Sequence, residues 1–228
     1  MTVADGLAPP STRTNSTVTR AALSATLGLA GVAWVVAFRE MDGMDMGVAT
    51  ELGSFTFFIA VWVSMMAAMM LPGAAPAVVR RVQATRRVRE VPLFVGSYLV
   101  VWTLVGGVVY ALYRPHGTLL AGVTAIAAGL YELTPPKQRS RRHCLESTGP
   151  GFRFGLHCVG SSIGLMLILV AVSVMSIAWM AVIALVVLAQ KVMPARAAID
   201  VPLAGALVAL GALIVVAPSV VPGLTPAM

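Results

Sequence analysis

The sequence predicts an all-α protein, a polytopic bundle of transmembrane helices. Three observations predict this class: 58% of the 228 residues are apolar, only 11% are charged, and the apolar residues form blocks separated by short basic runs. Soluble chains are nearer roughly 45–50% apolar and about 25% charged, because a compact particle in water needs more polar surface than this chain supplies. A soluble enzyme, a nucleic-acid-binding domain and a disordered chain are therefore excluded.

The first elements are a tail and a membrane span. Residues 1–20 are rich in Ser, Thr, Pro and Asn and predict a flexible cytoplasmic tail. Residues 21–38 carry no charge and are longer than the apolar core of a signal peptide, so we expect an uncleaved first span. The remaining apolar blocks cover residues 54–79, 91–113, 117–133, 155–188 and 201–221. A single transmembrane domain over 21–222 and a short tail over 223–228 follow.

The block 155–188 leaves the span count open. As one helix its 34 residues would measure about 51 Å, far more than a bilayer core. The alternatives are one long helix, giving six spans, or a hairpin turning near residues 173–176, giving seven.

Positive charge favours seven spans with a cytoplasmic N-terminus. It places the segments 80–90, 134–155 and 191–200 in the cytoplasm, so only Arg39 and Arg114 of the 16 basic residues lie outside. The lipid bilayer, as a bacterial inner membrane, is the predicted environment. The two cysteines are too few for a disulfide framework and indicate a reducing compartment.

Methionines form two clusters that can serve a soft metal. The first, predicted on the outer face, consists of Met41, Asp42, Met44, Asp45 and Met46. Thioether sulfur suits Cu(I), and neighbouring carboxylates help to collect the ion from water.

The second methionine cluster lies within the second span. Met65 and Met69 lie one helical turn apart, as do Met66 and Met70, and Pro72 is expected to end the regular helix just beyond them. Met166 and Met175 are candidate partners opposite. Methionine is also a flexible apolar filler, so simple packing is the alternative for this cluster.

Two His-Cys pairs stand in or beside the second basic segment. His143, Cys144, His157 and Cys158 together offer two imidazoles and two thiols, a set suited to zinc or, with fewer ligands, to Cu(I). Neighbouring residues rarely both point at one ion, so the alternative is a loop histidine beside a buried cysteine.

Glu132 and Gln190 are further candidates because they are polar groups within or at the ends of apolar blocks. An ionisable residue at membrane depth is costly and often functional. Glu132 is also close enough in sequence to pair with Lys137. Gln190 is less informative.

Three segments resemble a bacterial family of predicted metal-binding integral membrane proteins, a domain of unknown function. They are Trp-Val-Ser-Met-Met-Ala-Ala-Met-Met-Leu-Pro at 62–72, Ala-Gly-Leu-Tyr-Glu-Leu-Thr-Pro-Pro-Lys at 128–137, and His-Cys at 143–144 followed by Gly-Leu-His-Cys-Val-Gly at 155–160 and Leu-Met at 165–166. The resemblance extends from residue 41 to 191 and implies metal binding through Cys, His and Met.

The chain departs from the pattern of that family at several ligand-type positions. Ser140, Ser161 and Ser162 stand where the family has cysteines, and Gln190 stands where it has glutamate before Lys191. Because a hydroxyl is a poor ligand for a soft metal, the resemblance implies a weakened cytoplasmic site or one that depends on the remaining His and Cys residues.

The favoured function is handling of a soft metal, with copper ahead of zinc, by transport, delivery or homeostasis. The alternative is a non-catalytic subunit or assembly factor of a larger membrane complex that binds no metal. A membrane-embedded metalloenzyme is a weaker reading, since no catalytic motif stands out. Partner membrane proteins or self-association are expected, and nucleic acid is not.

Overall fold

The computed structural model describes residues 10–41, 52–114, 117–173, 176–193 and 197–221, and within these ranges the chain is helical with no strand. The α-helices are α1 (Pro10–Met41), α2 (Phe55–Thr85), α3 (Glu90–Leu112), α4 (Thr118–Glu132), α5 (Pro135–Glu146), α6 (Gly151–Ser173), α7 (Ile177–Val192) and α8 (Ala197–Val216). The predicted all-α class is confirmed.

Several helices have the length and composition to cross a membrane. Four qualify singly among the described residues: α2, α3 and the segments Thr17–Met41 and Gly151–Val172. Helices α4 and α5 qualify together, although they are bent by 64° at their junction, which raises the number to five. The apolar helix α7 and the segment Asp200–Val216 are shorter.

The first helix begins earlier than the sequence suggested. It starts at Pro10, inside the segment predicted as a tail. Proline is favoured at the first helical position because its fixed backbone angle suits a helix and its missing N–H is not needed there. Residues 11–20 contain neither glycine nor a second proline, so nothing in them interrupts the helix.

Helix α2 continues past the proline expected to end it. Pro72 and Pro76 both lie inside the helix, which ends at Thr85 with Arg86 in the left-handed conformation. Proline within a membrane helix is tolerated because neighbouring helices support the interrupted turn. The expected termination just beyond Pro72 is therefore wrong, and α2 carries its buried face well beyond the methionines.

The long apolar block divides in two. Helix α6 ends at Ser173 and α7 begins at Ile177, with the Ser176 hydroxyl accepting a hydrogen bond from the Trp179 backbone N–H at 3.5 Å. A single helix through the block is thus excluded, and the break lies where the hairpin was predicted.

The predicted cytoplasmic loop 134–155 contains a helix with a buried basic face. Helix α5 begins with two prolines and buries Lys137 and Arg141 against the rest of the protein. In the sequence these basic residues served to indicate the side of the membrane, and their burial was not predicted. Their burial is possible because each forms an ion pair with an acidic side chain.

The packing brings α2, α5, α6 and α7 together around one buried cavity. Helix α2 lies against α1, α3 and α7, while α6 packs against α3, α4 and α5. Helix α4 pairs closely with α8, since a Cβ atom added to Gly211 would come within 2.6 Å of the Gly122 carbonyl oxygen. Helix α2 also contacts α5, and residues of α2, α5, α6 and α7 line a common cavity.

Candidate metal centre

The two cysteines converge although they lie on different helices. Cys144 on α5 and Cys158 on α6 are both buried, and each thiol lies close enough to the other to influence it electrostatically. The Cys144 thiol also faces the Phe154 carbonyl oxygen at 3.9 Å. The sequence offered these two cysteines together with His143 and His157 as one candidate ligand set.

A lysine and a methionine complete the surroundings of Cys158. The Lys191 ammonium donates a hydrogen bond to the Cys158 sulfur at 2.7 Å and lies 3.9 Å from the Met70 sulfur. The Tyr98 hydroxyl lies 3.1 Å from the same Cys158 sulfur. Three sulfur atoms, from α2, α5 and α6, are therefore gathered near one ammonium group from α7.

The two histidines form a separate pair on the outside of this region. The rings of His143 and His157 stack with centroids 5.0 Å apart, His143 being exposed and His157 half-buried. Consecutive residues of a helix point about 100° apart, so each histidine faces away from the buried cysteine next to it.

The predicted four-ligand His/Cys set is consequently divided into two pairs. In the ranges that the structure describes, no group of three or more His, Cys, Asp or Glu side chains has the arrangement of a metal site. A tetrahedral zinc centre needs four convergent donors, which this arrangement of the four residues does not provide.

A small cavity of about 30 Å³ adjoins Cys144. It is large enough for one or two water-sized particles. Its lining includes Cys144, Gln190 and Lys191, together with Ser161 and Ser162, two of the positions where the resembled family has cysteines. The two positions at which this chain has serine and the resembled family has cysteine therefore lie in the wall of this cavity and not on a remote surface.

The predicted candidates Glu132 and Gln190 meet in a buried polar cluster beside the cavity. Glu132 forms an ion pair with Lys137, and the same carboxylate oxygen accepts a hydrogen bond from the Gln190 amide at 2.7 Å. The expected pairing of Glu132 with Lys137 is confirmed. The other carboxylate oxygen has no hydrogen-bond partner among the described residues.

A second buried ion pair joins α5 to the C-terminal helices. Arg141 pairs with Asp200 of α8 and donates hydrogen bonds to the Gln190 carbonyl at 2.8 Å and the Met193 carbonyl at 3.1 Å. These contacts fix the orientation of α5, and therefore of Cys144, against α7.

The methionine candidates are only partly described. Met65, Met66, Met69 and Met70 are all buried inside the protein, and among them Met70 approaches the cysteine region. Met166 is buried as well. Met41, the last residue of α1, is buried, whereas the rest of the outer cluster (Asp42, Met44, Asp45, Met46) and Met175 lie outside the described residues.

Sequence reasoning missed Lys191, Tyr98, Arg141 and Asp200 as members of this region. A charge at position 200, at the start of an apolar helix, and a basic residue at position 191, at the end of another, were the available signals. The basic residue at position 191 served to indicate membrane topology, and the acidic residue at position 200 was not considered. Tyr98 is one of two tyrosines on a long apolar helix and carries no comparable signal.

Comparison with known proteins gives one match. A family model described as PpoB2, copper chaperone, matches residues 59–214, which cover most of α2 and all of α3 to α7. No curated protein and no solved structure matches the chain. The matched range contains every sulfur and nitrogen donor of the centre described above.

Proposed function

The chain belongs to the PpoB2 family of copper chaperones, and from this premise we propose that it is an integral membrane protein that binds Cu(I) and delivers it to another protein. The observation that carries the proposal is the convergence of Met70, Cys144 and Cys158 around one position. Thiolate and thioether sulfur select Cu(I) over harder ions, so copper is favoured over zinc.

The remaining candidates fit a path for the ion on either side of this centre. We propose that the segment 41–46 collects copper at the outer face and that the stacked pair of His143, which is exposed, and His157, which is half-buried, receives or releases it near the cysteines. Delivery requires a receiving protein, so the predicted membrane partner would be the copper acceptor. Met65, Met66 and Met69 serve in this scheme as packing around Met70.

Loss of the cysteines tests the centre directly. We expect the purified full chain, titrated anaerobically with Cu(I) against the chromophoric chelator bicinchoninate, to hold one tightly bound ion. A Cys144→Ser/Cys158→Ser variant should lose this ion, with an affinity loss beyond the roughly 10–100-fold that removal of an outer-shell partner costs.

Methionine variants give the matched control. Met70→Leu should weaken Cu(I) binding, whereas the double variant Met65→Leu/Met69→Leu should keep the full copper complement, because leucine preserves volume while removing sulfur. Unchanged copper binding after loss of both cysteines would refute the centre. Loss of copper in the Met65→Leu/Met69→Leu variant alone would indicate that Met65 and Met69, and not the cysteines, bind the ion.

The proposed topology has seven spans with the N-terminus in the cytoplasm, and labelling can test it. Position 196, which lies outside the described ranges, distinguishes six spans from seven. A cysteine is introduced there as Arg196→Cys and exposed to an impermeant thiol reagent in intact cells. We expect no reaction. An Arg114→Cys variant, predicted on the outer side, should react under the same conditions. Reaction at position 196 would reduce the count to six.

A further inference from the structure

The Lys191 ammonium lies where a bound cation would lie in this centre. Its nitrogen is 2.7 Å from the Cys158 sulfur and 3.9 Å from the Met70 sulfur. It also lies 6.0 Å from the ring centroid of Tyr98 and 5.8 Å from that of Phe154, distances at which aromatic faces attract a cation. Soft donors and aromatic faces thus surround a positive charge supplied by the protein itself.

A glycine of α2 makes room for the side chain of Lys191. A Cβ atom added to Gly73 would come within 2.5 Å of the Lys191 Cδ atom, so the absence of a side chain at position 73 leaves the room that the lysine stem occupies. Gly73 lies three residues after Met70, on the next turn of the same helix. The helix that supplies the thioether therefore also admits the ammonium.

Lys191 has no carboxylate partner within the described part of the chain. The two nearby buried carboxylates, Glu132 and Asp200, are taken by Lys137 and Arg141. The ammonium instead donates its hydrogen bond to the Cys158 sulfur. Lys191 is half-buried, and its ammonium contacts sulfur where a lysine withdrawn from water is usually paired with an acid.

We infer that Lys191 is a resident cation that Cu(I) displaces when it enters the centre. This inference rests on the proposed copper function and adds a regulation of the same site. In the copper-free protein the ammonium balances the sulfur donors and keeps them together. Since two positive charges repel at such short distance, copper binding requires the ammonium to leave, and its return favours release of the ion to an acceptor.

Neutralising position 191 gives the first test. Lys191→Gln removes the charge without adding a soft ligand, and it should tighten Cu(I) binding by at least tenfold in the bicinchoninate competition. Lys191→Arg keeps the charge and should bind no more tightly than the natural chain. Equal or weaker binding by the glutamine variant, with Cu(I) still bound by the natural chain, overturns the inference and leaves the copper function standing.

Amine labelling of the unaltered protein gives a second test that needs no variant. The chain contains two lysines, Lys137 and Lys191. We expect Cu(I) loading to raise modification of Lys191 by an amine-reactive ester several-fold, as measured by mass spectrometry. Lys137, held by Glu132, serves as the internal control and should not change. Labelling of Lys191 that stays constant while copper binds contradicts displacement, whereas absence of any copper binding contradicts the proposed function itself.

Discussion

Replacing Asp200 by leucine is expected to lower the free energy of unfolding by about 3–5 kcal/mol, because it leaves the Arg141 guanidinium buried without its counter-charge. The hydrogen bonds of Arg141 to two backbone carbonyls would remain but supply no negative charge. Unfolding of the full chain in mixed detergent micelles, followed by loss of helical signal, measures the change.

The ion pair between Arg81 and Glu90 provides the control. It joins the end of α2 to the start of α3 at 3.2 Å and is partly exposed, with side-chain exposures of 28% and 19%. A partly solvated pair is worth about 0–1 kcal/mol, so Glu90→Leu should have a much smaller effect than Asp200→Leu. Equal losses in the two variants would mean that the Arg141–Asp200 pair does not fix α5.

Removing Glu132 should destabilise the protein by a similar amount, about 3–5 kcal/mol, since the Lys137 ammonium is almost fully buried against it. The Glu132→Leu variant leaves an unpaired cation and also deprives the Gln190 amide of its acceptor. The same micelle measurement applies.

A second substitution separates charge from shape. In the double variant Glu132→Leu/Lys137→Met no buried charge is left unpaired at this position, and most of the lost stability should return, because apolar replacement of a buried ion pair is often neutral or better. A remaining deficit of about 1–3 kcal/mol would reflect the unsatisfied Gln190 amide. A double variant no more stable than Glu132→Leu would refute the ion pair as the cause.

Sequence reasoning reached the helical class and several members of the centre for physical reasons. An uncharged block of about 20 residues has few structures available other than a buried or membrane helix, so the helices in the apolar blocks were predictable. Burial of Met65 and Met69 was the packing alternative that the residue type offered, and the two cysteines were candidates only as part of a four-residue His/Cys set. The pairing of Glu132 with Lys137 was predictable because the partners are near in sequence.

Helix α5 was not predictable from the same rules. A segment that contains lysine and several arginines is usually exposed to water, so its composition does not predict burial. The acid that permits burial of Arg141 is Asp200, which lies 59 residues further along the chain. Local periodicity contains no information about such a partner. The separation of the histidine pair from the cysteine pair was only the alternative in the sequence, because it depends on the helical geometry of both segments.

The distance in sequence between Arg141 and Asp200 also imposes an order on assembly. The arginine leaves the ribosome 59 residues before the aspartate that neutralises it. Because chains are synthesised at roughly 5–20 residues per second, Asp200 is added about 3–12 s after Arg141. Until then, burial of α5 would place a charge without a counter-charge inside the protein. The proposed copper centre is therefore completed only after α8 has been made, so a chain that lacks α8 does not yet hold the cysteine of α5 in place.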